Sequence, residues 1–340
     1  MAAACRTQHA ASGQIGPSGR TIRTSASEAN HVLKSYALRL HRWITLAFAL
    51  PLAVVIGTGL LLSFEPLALQ AKLDSPLTAE TLLGHLRKHD PDGKATAVSI
   101  RSYEQALILR GVGRDGEIEI DLSTGDAMLD DGGFAWSEAF SVARGLHERL
   151  LFDLGWLVTA STWAMLALAA LGLLMGWPRF RQTFGGWHVG SAWIMLPLVV
   201  LSPLSGLALA YGVTFAGSAP SPRAERVSIA RAVELIGERH DLANLTSLRP
   251  RGGRLVARIF EGGALNAFVV GPGGLEPQPR NWPRAIHEGN WSGTLAPALN
   301  ILVSVVFMGL LGTGLFIWAR RTLRQKRRRA LNAVALRPAE

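Results

Sequence analysis

Four histidines in this sequence fall into two matched sets. His41 precedes Gly59 by 18 residues, and His188 precedes Gly206 by 18. In both cases a Leu follows the glycine and a Pro-Leu pair, at 51–52 and 197–198, lies midway. His147 precedes Gly172 by 25 residues and His287 precedes Gly312 by 25; both begin His-Glu and run to a Trp, 177 or 318, shortly before an Arg. Recurrence at fixed spacing marks an internal duplication. Imidazole nitrogens ligate transition metals and haem iron. The chain has one Cys in 340 residues, Cys5, and therefore no C-x-x-C-H attachment site. Opposed histidines in such a chain suit axial ligation of a non-covalent haem b, and two opposed pairs would hold two haems, with iron held by His41, His188, His147 and His287.

The elements that must position these residues follow from the distribution of charge. Charged residues make up 18% of the chain, yet four windows contain none at all: Trp43 to Phe64, Leu154 to Trp177, Val189 to Gly212 and Leu295 to Trp318. Each is 22 to 24 residues long, matching the roughly 20 apolar residues that cross a ~30 Å hydrocarbon core as a helix. A wholly soluble enzyme and a β-barrel are both excluded. The two tails and the short link 178–188 carry a balance of +14, and the two long connections, 65–153 and 213–294, carry −4. Short loops decide orientation by the positive-inside rule, so both termini are expected in the cytoplasm and both long connections outside it. The net charge of +10 then reflects topology. The basic run from Arg320 to Arg329 reads as an anchor on anionic lipid, and nucleic acid is not among the expected partners.

The expected fold is an α-helical membrane protein with four transmembrane helices, arranged as two tandem parallel repeats, and two small α+β modules outside the membrane. A disordered tail, 1–30, precedes an amphipathic lead-in and first span, 31–66. The first module occupies 67–146, the second span 147–178, and a cytoplasmic link 179–187. The third span is 188–213, the second module 214–286, the fourth span 287–319, and a basic tail 320–340. Within the first module, Thr78 to His89 reads as a capped helix followed by strands at Ala97 to Ser102, Ala106 to Arg110 and Glu117 to Leu122. The second module repeats this order: a helix at Ser228 to His240, then strands at Leu245 to Leu248, Arg254 to Phe260 and Leu265 to Val270.

Orientation sets the histidine pairing. His41 and His188 open the two outward-going helices, and His147 and His287 open the two inward-going ones, so each membrane face is expected to present one pair. Glycines such as Gly59, Gly172, Gly206, Gly312 and Gly314 leave room for a porphyrin, and they equally serve close helix packing. Arg42, Arg144, Arg149 and Arg284, with Arg39 and Arg181, are candidate partners for haem propionates, and equally serve as membrane anchors. A single histidine at a span's end also reads as an interfacial residue bonding headgroups. His85 and His89 stand four apart on the first module's helix but gather no third metal ligand. His9, His31 and His240 join no constellation.

The sequence resembles the PepSY-associated transmembrane family. The matching residues are Leu40-His41-Arg42-Trp43 with Gly57-Thr58-Gly59, Leu146-His147 with Gly172 and Trp177-Pro178-Arg179, Trp187-His188-Val189-Gly190 with Gly206, and Ile286-His287-Glu288-Gly289 with Gly312-Thr313-Gly314 and Trp318. Ile120 to Gly125 is the best local match to a PepSY domain. The chain departs from the pattern at Ser205-Gly206, where Thr-Gly is usual, and at Leu171-Gly172. The resemblance implies a bacterial inner-membrane protein linked to iron uptake, similar to haem-b siderophore-iron reductases, with both modules periplasmic. Its partners would be the lipid bilayer, a ferric siderophore or other iron chelate, and an electron donor from outside the chain, which has no nicotinamide or flavin fingerprint. Association into a homo-oligomer is left open. A second class of function is a non-enzymatic PepSY protein that binds or regulates a periplasmic peptidase. A transporter is disfavoured, because the spans hold no ionisable carboxylate, lysine or arginine.

Overall fold

A computed structural model describes residues 21–113, 116–128, 133–177, 181–216 and 227–335. Cys5, His9 and residues 178–180 lie outside the described residues. Three helices are long and apolar enough to cross a membrane, and a bent pair brings the number to as many as four. The first half begins with α1 (Thr21–Ala47), which starts inside the stretch expected as a disordered tail, and continues as α2 (Ala49–Leu62) and the short α3 (Glu65–Ala68). Pro51 explains the break at Phe48: it has no N–H to offer the Ala47 carbonyl, and its ring crowds that oxygen. Pro197 does the same in the second half, where α7 (Phe184–Ile194) and α8 (Leu196–Ala210) meet at Met195 with a bend of 66°. The remaining apolar helices are α6 (Gly155–Leu174) and α11 (Leu295–Ala335). Their outer faces carry exposed Leu173, Leu174, Leu302 and Val305, a surface whose solvent is lipid. At 41 residues α11 is about 60 Å long, twice a hydrocarbon core, and its basic half runs on past the span.

Packing follows a twofold pattern. α1 lies on α6 as α7 lies on α11, and α2 lies on α11 as α8 lies on α6. Each half thus contributes to the surroundings of the other.

Outside the helices is an antiparallel sheet. The first half supplies α4 (Ala79–His89), β1 (Ala97–Arg101), β2 (Ala106–Arg110) and β3 (Glu117–Asp121). Two further helices stand beside the spans, α5 (Trp136–Arg149) in the first half and α10 (Trp282–Glu288) in the second. The second half also supplies α9 (Ile229–Gly237), β4 (Leu245–Arg251), β5 (Arg254–Glu261), β6 (Ala264–Gly271) and β7 (Gly274–Pro277). The cap expected at Thr78 is present, its hydroxyl accepting from the Thr81 N–H, and Ser228 caps α9 in the same way, accepting from Arg231.

The strands do not form two separate modules. They run β3-β2-β1-β4-β5-β6-β7 as one sheet, joined where Val98 stands opposite Leu248 and Ser99 opposite Ser247. The physical reason is the open edge each half would otherwise present: β1 and β4 satisfy one another's backbone groups. α4 and α9 lie together on one face, so Leu82, Leu86, Val233 and Ile236 share a core with Val98, Leu107, Leu248 and Ile259. β7 had no signal beyond a turn, since it opens on the last glycine of Gly-Pro-Gly-Gly and its four residues are too few to show alternation.

A second difference concerns the ends of the spans. His147 and His287 were expected to open the second and fourth spans at 147 and 287. Instead they close α5 and α10. α5 ends at Arg149, and Leu150, Phe152 and Asp153 adopt left-handed φ values before α6 begins at Gly155. α10 starts at an Asn281 cap with Pro283 in its first turn and ends at Gly289, φ +70°. Gly289 is required there, because a Cβ would stand 2.8 Å from the Asn300 side-chain amide. That amide donates to the His287 carbonyl at 2.9 Å, tying the end of α10 to α11.

Leu248 is fully buried at the junction of the two halves. Leu248→Ala should destabilise the sheet by about 2–5 kcal/mol, seen as a lower thermal midpoint. Because the sheet is continuous, hydrogen exchange should accelerate in β1 and β2 as well as in β4 and β5. Acceleration confined to β4–β7 would mean that the halves fold as independent modules.

Candidate functional site

The structure brings the four histidines together in two pairs, each pair joining the two halves of the chain. His41 on α1 and His188 on α7 have ring centroids 6.3 Å apart and planes at 83°. His147 on α5 and His287 on α10 have centroids 6.0 Å apart and planes at 46°. The second pair lies on the sheet side, where the loop after α10 bonds to the β5–β6 turn through Gly293 and Gly263. The first pair lies at the far end of the bundle.

Three of these rings are anchored through Nδ1 on a neighbouring span. His147 Nδ1 donates to the Val55 carbonyl at 3.0 Å and stands 3.2 Å from the Thr58 hydroxyl. His287 Nδ1 donates to the Ser202 carbonyl at 3.2 Å, with the Ser205 hydroxyl also at 3.2 Å. His188 Nδ1 stands 2.9 Å from the Thr313 hydroxyl, whose own hydrogen goes to the Gly309 carbonyl at 2.6 Å. A carbonyl only accepts, and a hydroxyl whose hydrogen is already given can only accept too. The proton therefore sits on Nδ1 in all three, and the Nε2 lone pair is left free to bind a metal. His41 differs: its Nδ1 is buried with no hydrogen-bond partner among the described residues.

Glycines make the room. A Cβ on Gly59 would come within 3.1 Å of His147 Cε1, one on Gly206 within 3.0 Å of His287 Cε1, and one on Gly314 within 3.5 Å of His188 Cε1. In the fold, then, Gly59 and Gly206 seat the other histidine of their own half. The matched 25-residue spacing had paired Gly172 with Gly312, yet the space around Gly312 is open and it is Gly314 that meets a ring. Sequence reasoning found the glycines but missed Thr58, Ser205 and Thr313 as anchors. Their signal was a hydroxyl residue immediately before each of those glycines.

Two imidazoles at this spacing fit one metal between them. A ligating imidazole nitrogen lies about 2.0–2.1 Å from its metal and about 1.1 Å from its own centroid. Rings on opposite sides of one metal then have centroids about 6.3 Å apart. Among the described residues no group of three or more His, Cys, Asp or Glu gathers, so a metal held by either pair takes its other ligands from a non-protein group, as haem iron does from a porphyrin. His41 and His188 face a cavity of about 940 Å³ whose lining includes Gly172, Gly314 and Trp318, with Lys34, Arg39, Arg42, Arg181 and Arg321 around it. That volume lies in the range of cofactor sites.

The candidate basic residues divide by position. Arg42 lines the far cavity and lies over the Trp43 ring at 5.8 Å. On the sheet side Arg144 pairs with Glu65, and Arg284 pairs with Glu288 at 2.7 Å while its Nε is buried without a partner among the described residues. Arg149 is exposed. Beyond these, Arg249 on β4 and Arg258 on β5 had drawn no attention in the sequence. Burial and the neighbouring guanidinium groups, Arg284 among them, push the pKa of both downward, against the pull of Glu288 on Arg258. His89 bonds the Gly125 carbonyl at 3.0 Å and His240 bonds Glu261 at 2.9 Å, both local contacts within the sheet region. His31 is exposed on α1.

The family model for the PepSY-associated TM region matches residues 38–321, a stretch that contains all four histidines, the four uncharged windows and the whole sheet. No curated protein matches the chain. The match covers most of the sequence, and on it this membrane protein belongs to the PepSY-associated transmembrane family.

Proposed function

We propose that the chain is a transmembrane haem-b electron-transfer protein that reduces ferric chelates, siderophore-iron among them, on the sheet side of a bacterial inner membrane. The observation that carries this reading is the pair of imidazole pairs: two rings about 6 Å apart, most of them fixed through Nδ1 so that Nε2 is free. His41 and His188 would hold one haem b, and His147 and His287 the other. Haem b, when bound, carries one electron at a time on its iron.

The chain's own groups supply position and environment. The apolar spans keep water from the imidazoles, and the Nδ1 anchors hold each ring in one tautomer and one orientation. The charge balance supports both termini in the cytoplasm and the sheet in the periplasm, so His41 and His188 would hold their haem toward a cytoplasmic or membrane donor and His147 and His287 would hold theirs toward the ferric chelate. One electron converts a ferric ion to ferrous, which hard oxygen ligands hold less firmly, so release needs no bond-breaking chemistry in the chelator. Arg249 and Arg258, with Arg284 near them, supply positive charge where an anionic chelate would approach.

The visible spectrum of the purified protein tests this reading. After expression with ample haem supply, the oxidised and dithionite-reduced spectra should show a b-type Soret and α-band; their absence would leave the peptidase-binding or regulatory reading of the family. His147→Ala or His287→Ala should lose about half of the haem and keep the far site, and a variant losing none refutes the pairing. Gly206→Ala, which thrusts a methyl group at the His287 ring, should also deplete the sheet-side haem, whereas Gly312→Ala should deplete neither. Arg249→Ala should raise KM for ferric citrate, an anionic chelate, and leave KM for a neutral ferric hydroxamate unchanged; an equal rise for both would remove Arg249 from substrate recognition.

A further inference from the structure

Three histidines rest on one repeated seat. It consists of a carbonyl at position i of the neighbouring span, a hydroxyl at i+3 and a glycine at i+4, all on one helix face. Under His147 these are Val55, Thr58 and Gly59; under His287 they are Ser202, Ser205 and Gly206; under His188 they are Leu310, Thr313 and Gly314. The fourth seat is on α6. The Leu168 carbonyl reaches His41 as a backbone contact that lacks the geometry of a formed hydrogen bond, which places Leu171 at i+3 and Gly172 at i+4. A Cβ on Gly172 would meet nothing within 4 Å, so His41 does not press on its glycine as the other three rings do. Leu171 carries no hydroxyl, and among the described residues His41 Nδ1 is the Nδ1 of the two pairs left buried without a well-formed hydrogen bond.

We propose that Leu171 makes His41 the displaceable ligand of the four, so that the two sites are chemically unequal despite the duplicated fold. This rests on the haem reading above. A bond from Nδ1–H to an acceptor orients an imidazole ligand and raises its basicity, and loss of such a partner typically weakens metal binding 10–100-fold. His188, opposite His41, keeps its acceptor, as do both sheet-side rings. The far site therefore holds its iron firmly from α7 and weakly from α1. Two consequences follow: the far site has a higher reduction potential than a seat with a hydroxyl would give it, and a small neutral ligand can take the place of His41 on the reduced iron.

The test compares Leu171→Thr with Leu171→Val, which have the same shape and differ in the hydroxyl. Thr is tolerated in this setting, since Thr58 and Thr313 both bond to the carbonyl one turn back on their own spans. Spectroelectrochemical titration of the α-band and carbon monoxide titration of the dithionite-reduced protein are the readouts. In Leu171→Thr one of the two midpoint potentials should fall and carbon monoxide should bind about tenfold more weakly, with the other midpoint unmoved; Leu171→Val should behave as the parent protein. Haem present in full, with the Thr and Val variants alike in both titrations, overturns the proposal and leaves the haem reading standing. A parent protein with no b-type spectrum overturns both.

Discussion

A buried imidazole N–H that finds no acceptor is costly, and for three of the four histidines the answer here is a carbonyl and hydroxyl on the next helix, with a glycine beside them to let the ring approach. An unpaired buried donor costs about 1–3 kcal/mol, enough to shift a ring to another rotamer or expose it to the headgroups. The seats at Val55 to Gly59, Ser202 to Gly206 and Leu310 to Gly314 remove that cost and also choose the tautomer. Helix packing follows from them: α5 must lie on α2, α10 on α8 and α7 on α11, because those are the contacts that bring each ring to its seat. The duplicated topology then sets the rings of the two halves face to face.

The same constraint accounts for the interruptions in the helices. A straight span from His147 or His287 onward would carry the histidine away from the preceding span. The left-handed residues from Leu150 to Asp153, and Gly289 in the other half, reverse the chain so that α5 and α10 approach their seats while α6 and α11 cross elsewhere. Pro51 and Pro197 interrupt the other two spans near mid-length, and at Pro197 the bend of 66° places His188 on a helix of different direction from the seat beyond it. The fused sheet joins the halves as well: the β1–β4 junction ties them at one end, as the histidine pairs tie them within the bundle.

Much of this was legible in the sequence, for local reasons. Apolar windows, N-caps such as Thr78 and Ser228, and alternating strands depend on near neighbours in the chain. The pairing of His41 with His188 and of His147 with His287 was also legible, since duplication and charge asymmetry together say which residues share a face. What was not legible is set by contacts distant in sequence. The pairing of β1 with β4 spans about 150 residues, and nothing in either strand alone names its partner. The hinge at Leu150 to Asp153 uses left-handed backbone at residues other than glycine, which composition does not signal. Gly314 rather than Gly312 meets His188 because helix rotation, not residue spacing, decides which of two nearby glycines faces a ring.

The central proposal is that each pair of imidazoles would hold one haem iron. Electron paramagnetic resonance of the oxidised protein addresses this most directly, because the spin state reports the axial ligands. The account predicts two low-spin ferric signals from two bis-imidazole sites, with the more anisotropic one from the far pair, whose rings are nearly perpendicular. A high-spin ferric signal as the main species, or no haem signal at all, would contradict it.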